Sequence, residues 1–313
     1  MKFTDSVLLA LKGCAMGMAD VVPGVSGGTI AFISGIYEEL IDSIRRFDAT
    51  ALKLLVRLRF GELWRHVNGR FLLPVLLGIA VAIFSLARLM TYLLEYHPIE
   101  IWSFFFGLII ASALLVAQQV GRWSWRTVVA FALGAAAAWW ITVASPTETP
   151  NDWWFVMLSG AIAICAMILP GISGAFILLL LGKYQYIMQA VGDLNIPVIA
   201  IFVIGAAAGI ISFSHLLSWL LKHWHDLTVS VLMGFMVGSL NKVWPWKEPV
   251  VTYLDSHGEL QPLVERNITP GRFEFLFDRP SMLVEAVLLC VVGFLTIYGI
   301  ELLARILVKK RGE

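Results

Sequence analysis

The sequence has 313 residues, 59% of them hydrophobic and only 14% charged, with a formal net charge of +1. Soluble domains carry about 25% charged residues, and here the charges sit in short stretches between long apolar runs, so the chain reads as an all-α polytopic membrane protein. The balanced charge gives no footing for nucleic acid, and Cys14, Cys165 and Cys290 lie inside apolar runs without disulfide or metal-ligand spacing, so they read as packing residues.

In chain order, the first region, 4–44, is mostly apolar but broken at its middle by Pro23-Gly24. Pro and Gly end one helix and permit a sharp reversal, so the region predicts two shorter helices joined by a turn. Lys12 interrupts the opening apolar run and Asp20 follows it, which argues against a cleaved signal peptide. Residues 45–70 carry Arg45, Arg46, Lys53, Arg57, Arg59, Arg65 and Arg70, with Leu52, Leu55, Val56, Phe60, Leu63 and Val67 at helical spacing. That pattern predicts a basic amphipathic helix on an anionic lipid surface. Apolar segments at 71–96, 101–120 and 126–145 approach or exceed the ~20 residues needed to span a bilayer. A second broken region, 153–191, turns at Pro170-Gly171, and further spans follow at 197–222, 228–245 and 282–307, with a long loop at 246–280.

The two broken regions are copies. Pro23-Gly-Val-Ser-Gly27 aligns with Pro170-Gly-Ile-Ser-Gly174, Gly13 with Gly160, Gly35 with Gly182 and Tyr37 with Tyr184, all at an offset of 147. Downstream, Gly78 pairs with Gly205, Ser85 with Ser212, Arg88 with His215, Gly107 with Gly234 and Ser112 with Ser239 at an offset of 127, and Gly134 pairs with Gly293. Landmarks in the same order predict one membrane domain, 1–313, made of two repeats, 1–145 and 146–313.

Lys and Arg in short loops set orientation. The 45–70 loop, the Arg122/Arg126 turn, the Lys222 turn and the Lys309-Lys310-Arg311 tail are basic and read as cytoplasmic. The turns near 97–100, 146–152 and 183 and the 246–280 loop read as external, so both termini face the cytoplasm. Each repeat is then a hairpin returning to its own side plus three crossings. Three is odd, so the second repeat is expected upside down relative to the first, the plan of many secondary transporters with a midplane site. Lys12, Asp20, Glu38 and Glu39 favour re-entrant hairpins over fully crossing ones.

The hairpin turns carry the candidate chemistry. Ser26 and Ser173 stand at helix N-cap positions, followed by Gly27-Gly28-Thr29 and by Gly174. The first N–H groups of such a helix lack partners and carry partial positive charge, and small residues admit an anion to the backbone, so opposed tips form a candidate phosphate site. The plain alternative is two capped turns packed tip to tip. Asp20, matched by Met167 in the other half, reads either as a coupling or gating group or as a local backbone cap. Arg88 and His215 complete a phosphate clamp or snorkel to an interface. Glu38 and Glu39 are further gating candidates, and Tyr37, Lys183 and Tyr184 are assigned to a cavity mouth. No G-x-x-x-x-G-K-[ST] loop is present, and no cofactor or metal is implied.

Met16-Gly-Met-Ala-Asp-Val-Val-Pro-Gly-Val-Ser-Gly-Gly-Thr29, continuing to Gly35-Ile-Tyr-Glu-Glu39, resembles the first signature of the bacterial polyprenyl-phosphate transporter (PopT) family. Ala166-Met-Ile-Leu-Pro-Gly-Ile-Ser-Gly174, continuing to Gly182-Lys-Tyr184, resembles its second. The resemblance implies a bacterial plasma-membrane protein that returns undecaprenyl phosphate, the lipid carrier of cell-wall precursors, from the outer to the inner leaflet. P-G-x-S-G also resembles a motif of the integral-membrane undecaprenyl pyrophosphate phosphatases. Those place an Arg after the Ser, where this chain has Gly27 and Gly174, so the charge stabilisation for phosphoryl transfer lacks its source. A channel or exchanger for small anions shares the same helix-end logic.

Overall fold

The computed structural model describes residues 3–21, 26–147, 149–254 and 260–309, less some side chains within helices and strands. The first hairpin holds α1 (Phe3–Val21), α2 (Gly27–Ile33) and α3 (Tyr37–Arg45); Pro23, Gly24 and Val25 lie outside the described residues. Its return arm is therefore two helices, where one was expected. α2 makes only two turns before Gly35, whose φ is +70°. A residue with a Cβ there costs roughly 1–2 kcal/mol, which makes Gly35 the natural break. Lys12 of α1 donates to the Ser34 carbonyl at 2.6 Å, serving the end of α2.

The expected single interfacial helix is also two: α4 (Ala49–Val56), capped by Asp48, and α5 (Phe60–His66). Leu58 and Asn68, both at positive φ, bracket α5. Leu52, Leu55, Val56, Leu58, Phe60 and Trp64 stay exposed. Three long helices follow, α6 (Gly69–Tyr96), α7 (Pro98–Ala117) and α8 (Trp125–Val143).

The second hairpin repeats the first as α9 (Trp153–Ile168), α10 (Gly174–Leu180) and α11 (Tyr184–Gly192). α10 again has seven residues, ends at Gly182 with φ +61°, and meets α11 at a 109° bend. Then come α12 (Ile196–His223), α13 (His225–Ser239), strands β1 (Lys247–Leu254) and β2 (Leu260–Asn267), α14 (Pro270–Phe277) and α15 (Leu283–Lys309). α13 stops at residue 239, short of the expected 245. The 246–280 loop folds into an antiparallel pair running from Lys247 opposite Asn267 to Leu254 opposite Leu260, with register shifts between Pro249 and Thr252. Val250, Val251, Thr252 and Tyr253 suit a pleated strand, and Pro249 lacks the N–H the ladder needs. Apart from this small sheet the described residues are mostly helical, consistent with an all-α polytopic membrane protein.

Among the described residues, α7, α8 and α12 are each long and apolar enough to cross a membrane, and counting each of two bent helix pairs as one span gives up to five. α7 is mostly enclosed, whereas α8 and α12 turn most of their apolar surface outward.

Four helix crossings organise the bundle: α1 on α6, α9 on α12, α7 on α15 and α13 on α8. Each brings backbones too close for a Cβ. One added to Gly13 would strike the Val75 carbonyl, and one on Gly78 the Ala10 carbonyl; Gly160 and Gly205 meet Phe202 and Met157 in the same way. These contacts map onto one another through the offsets of 147 and 127. Likewise Gly107 meets Cys290 and Gly293 meets Phe104, while Gly234 meets Phe131 and Gly134 meets Val231. The first two crossings lie within a half. The last two interlace the halves.

The connecting segments gather in two groups. In one, Asp226 accepts from the Gly121 and Arg122 N–H groups at 3.1 Å, and Asp42 of α3 accepts from Ser218 Oγ at 2.6 Å and Lys222 Nζ at 3.1 Å. In the other, Thr147 N donates to the Leu180 carbonyl at 2.9 Å, Asn241 Nδ2 to Thr142 Oγ1 at 2.8 Å, and Trp246, Ile268, Ile99 and Ala286 share a small core.

Candidate functional site

The two hairpin tips meet. Ser26, extended at φ −120°, caps α2: its Oγ accepts from Gly28 N at 3.1 Å and donates to the Met167 carbonyl at 2.8 Å. The Tyr37 hydroxyl donates to the Ile168 carbonyl at 3.1 Å. Those carbonyls belong to the last turn of α9, where no intrahelical donor remains. Thr29 Oγ1 likewise accepts from Gly171 N at 2.9 Å. Side chains of the first hairpin thus satisfy three backbone groups that the second leaves open. Ser26 and Thr29 are fully buried, and a Cβ on Gly28 would lie 2.5 Å from the Ile168 carbonyl oxygen.

The two caps differ. Asp20 Oδ1, from the end of α1, accepts from Gly27 N at 2.7 Å, so a carboxylate occupies the positive end of α2. α10 has no such group. Ser173, also buried, makes no side-chain cap bond to it, and Gly174 faces the Ala163 carbonyl and the Met167 Cβ. The Asp20/Met167 difference seen in sequence is therefore a difference in how two otherwise equivalent helix ends are covered.

The remaining sequence candidates are dispersed. The Arg88 side chain lies outside the described residues. His215 faces outward from α12, its Nδ1 donating to the Ile211 carbonyl at 2.8 Å. Glu38 lies 3.5 Å from His225 Nε2, and Glu39 accepts from Asn68 Nδ2 at 3.0 Å. Tyr37 is buried at the tip, and Lys183 is buried with its Nζ donating to the Thr149 carbonyl at 2.7 Å and Asn151 Oδ1 at 2.6 Å. Tyr184 is half-buried at the start of α11. Among the described residues, no group of three His, Cys, Asp or Glu side chains could hold a metal ion.

Sequence reasoning missed a cavity of about 350 Å³ between the ends of α8, α10 and α13 and the sheet. Its charged wall is Lys242, Lys247, Glu265 and Arg266. Loop charge was read only for orientation, and the strand pairing that brings these residues together is non-local.

Residues 16–261 match the family model described as undecaprenyl phosphate translocase-like. A polyprenyl-phosphate transporter of Vibrio cholerae serotype O1 is 46% identical over 291 residues, covering 93% of this chain and 94% of the relative. A polyprenyl-phosphate transporter of Staphylococcus aureus is 34% identical over 264 residues, covering 75% and 85%. No solved structure matches the chain. The match spans both hairpins and the spanning helices between them, and on that ground the chain belongs to the undecaprenyl phosphate translocase-like family, a family of transporters and not of enzymes.

Proposed function

We propose that the protein carries a polyprenyl phosphate from the outer to the inner leaflet of the bacterial plasma membrane, recycling the carrier lipid of cell-wall synthesis. The joined hairpin tips carry this reading. In the described conformer they seal each other, and the N–H groups of α2 are taken by Asp20 and Ser26. When the tips part, Ser26, Gly27, Gly28 and Thr29 on one side and Ser173 and Gly174 on the other become free to meet a phosphate, while the prenyl tail stays in lipid. A headgroup at α2 competes with the Asp20 carboxylate for the Gly27 N–H, which gives Asp20 its gating role. Arg88 and His215 complete the phosphate clamp in this scheme.

The two repeats act as inverted copies with re-entrant hairpins. In support, Asn68 at the start of α6 contacts Glu39 and Ser43 of α3, while Lys222 near the end of α12 contacts Asp42 of the same helix. The equivalent helices α6 and α12 therefore run in opposite directions past α3. Both termini are cytoplasmic in this scheme, and the basic α4–α5 segment rests on anionic lipid.

The test is leaflet-resolved transport of a labelled polyprenyl phosphate in proteoliposomes. Wild-type protein should move the probe, and Thr29→Val and Ser26→Ala should slow it at least tenfold without changing the amount reconstituted. Normal rates in both variants would place the passage elsewhere.

A further inference from the structure

The cavity beneath the sheet has two unlike walls. Trp139 and Val143 of α8 and Phe176 and Leu180 of α10 form an apolar side, and Trp139 and Val143 are themselves largely exposed at the outer surface of the bundle. The opposite side is cationic. Lys242 Nζ donates to Glu265 Oε2 at 3.0 Å and sits 4.8 Å over the Phe176 ring. Lys247 Nζ lies 3.5 Å from the same carboxylate oxygen and 4.1 Å over the Trp102 ring. Arg266 is tied to Glu248 at 2.8 Å.

Two ammonium groups therefore share one carboxylate. The Lys247 side chain is 9% exposed, and its buried nitrogen makes no hydrogen bond among the described residues. A buried ammonium whose one anionic partner is 3.5 Å away and already engaged by Lys242 is costly, and such a group calls for an explanation. A structural role as an ion pair is already filled by Lys242 on Glu265. What is left over is one unmatched positive charge, in a cavity with an apolar flank, beside a helix (α10) that begins at the second hairpin tip about 10 Å away by helical rise.

We propose that this cavity is a receiving site for a phosphomonoester on an apolar chain, with the phosphate on Lys247 and Lys242 and the first carbons of the chain against Phe176 and Leu180. The site holds the anion before it reaches the tips. The proposal rests on the transport reading for the source of its ligand, but its chemistry is separable from the tip contacts. A free phosphate could use the lysines alone, whereas a prenyl phosphate uses both walls.

The experiment is calorimetric binding to the full chain in detergent, with farnesyl phosphate, farnesol and inorganic phosphate as probes. Farnesyl phosphate should bind, and Lys247→Met and Lys242→Gln should each weaken it at least tenfold. Phe176→Ala should weaken farnesyl phosphate but leave inorganic phosphate unchanged. Without ligand, Lys247→Met should melt no lower than wild type, since it removes a buried charge; a merely structural lysine would lower it. The difference in farnesyl phosphate binding between wild type and Lys247→Met isolates this site, because the tip residues are the same in both, whereas transport by Thr29→Val reports on the tips alone; this separates failure of this site from failure of the tip reading. Wild-type farnesyl phosphate affinity in folded Lys247→Met would overturn the proposal. So would Lys247-dependent binding of inorganic phosphate that farnesyl phosphate does not displace.

Discussion

At the scale of single residues, the contacts that matter most here are between side chains and stranded backbone groups. Ser26 and Tyr37 serve adjacent carbonyls of α9, and Thr29 serves Gly171. Leaving a buried acceptor unmatched costs about 1–3 kcal/mol. The motif residues Ser26 and Thr29 were legible in sequence; their partners were not, because the Met167 carbonyl and the Gly171 N–H lie more than 130 positions away. Lys247 offers a different test. Burial pushes its ammonium down to about 8, against the pull of Glu265 and with a further push from Lys242. Its unfolded value stays near 10.5, so between those values the unfolded chain binds a proton that the folded chain does not. Stability contributed at this position therefore rises with pH across that window. The melting-temperature advantage of Lys247→Met over wild type should accordingly be largest at pH 7 and shrink by pH 10. Anion binding should fall in wild type as pH rises past about 8.

At the scale of elements, two kinds of glycine do different work. Gly35 has open space around its missing side chain and a positive φ, so Gly35→Ala carries only a conformational cost of roughly 1–2 kcal/mol. Gly28 sits against the Ile168 carbonyl, so Gly28→Ala must also push the tips apart. Thermal unfolding should show the larger loss for Gly28→Ala, and equal losses would contradict the packing described. The aligned glycines were visible as landmarks, yet Gly35 and Gly182 did not announce themselves as helix ends, because a glycine in an apolar run is compatible with either a close crossing or a break. The split between α4 and α5 had even less local signal, since Leu58 is an unusual residue at positive φ. The strands went unread because their stretch of sequence is short, mixed in polarity and interrupted by Pro249.

At the scale of the whole molecule, the landmarks that suggest duplication were legible because several are glycines at helix crossings, which are direct steric requirements. Which helix each of them crosses was not, since nothing local assigns α7 to α15 or α8 to α13. The conformer is also unequal in its halves: α3 and α11 both lean on α12, although they are counterparts. Interlacing predicts that the segments 1–145 and 146–313, expressed as separate chains, restore transport only when made together. Transport by either alone would refute it.

Interlacing also bears on how the protein is made. Gly107 of α7 finds its seat at Cys290, about 180 residues further along, which at synthesis rates of 5–20 residues per second takes about 10–40 s. Through that interval α7, the most enclosed of the spanning helices, has no permanent neighbour on that face. The nascent first half must wait in the bilayer with its interior turned out, held by whatever assists insertion, until the last helix arrives to close it.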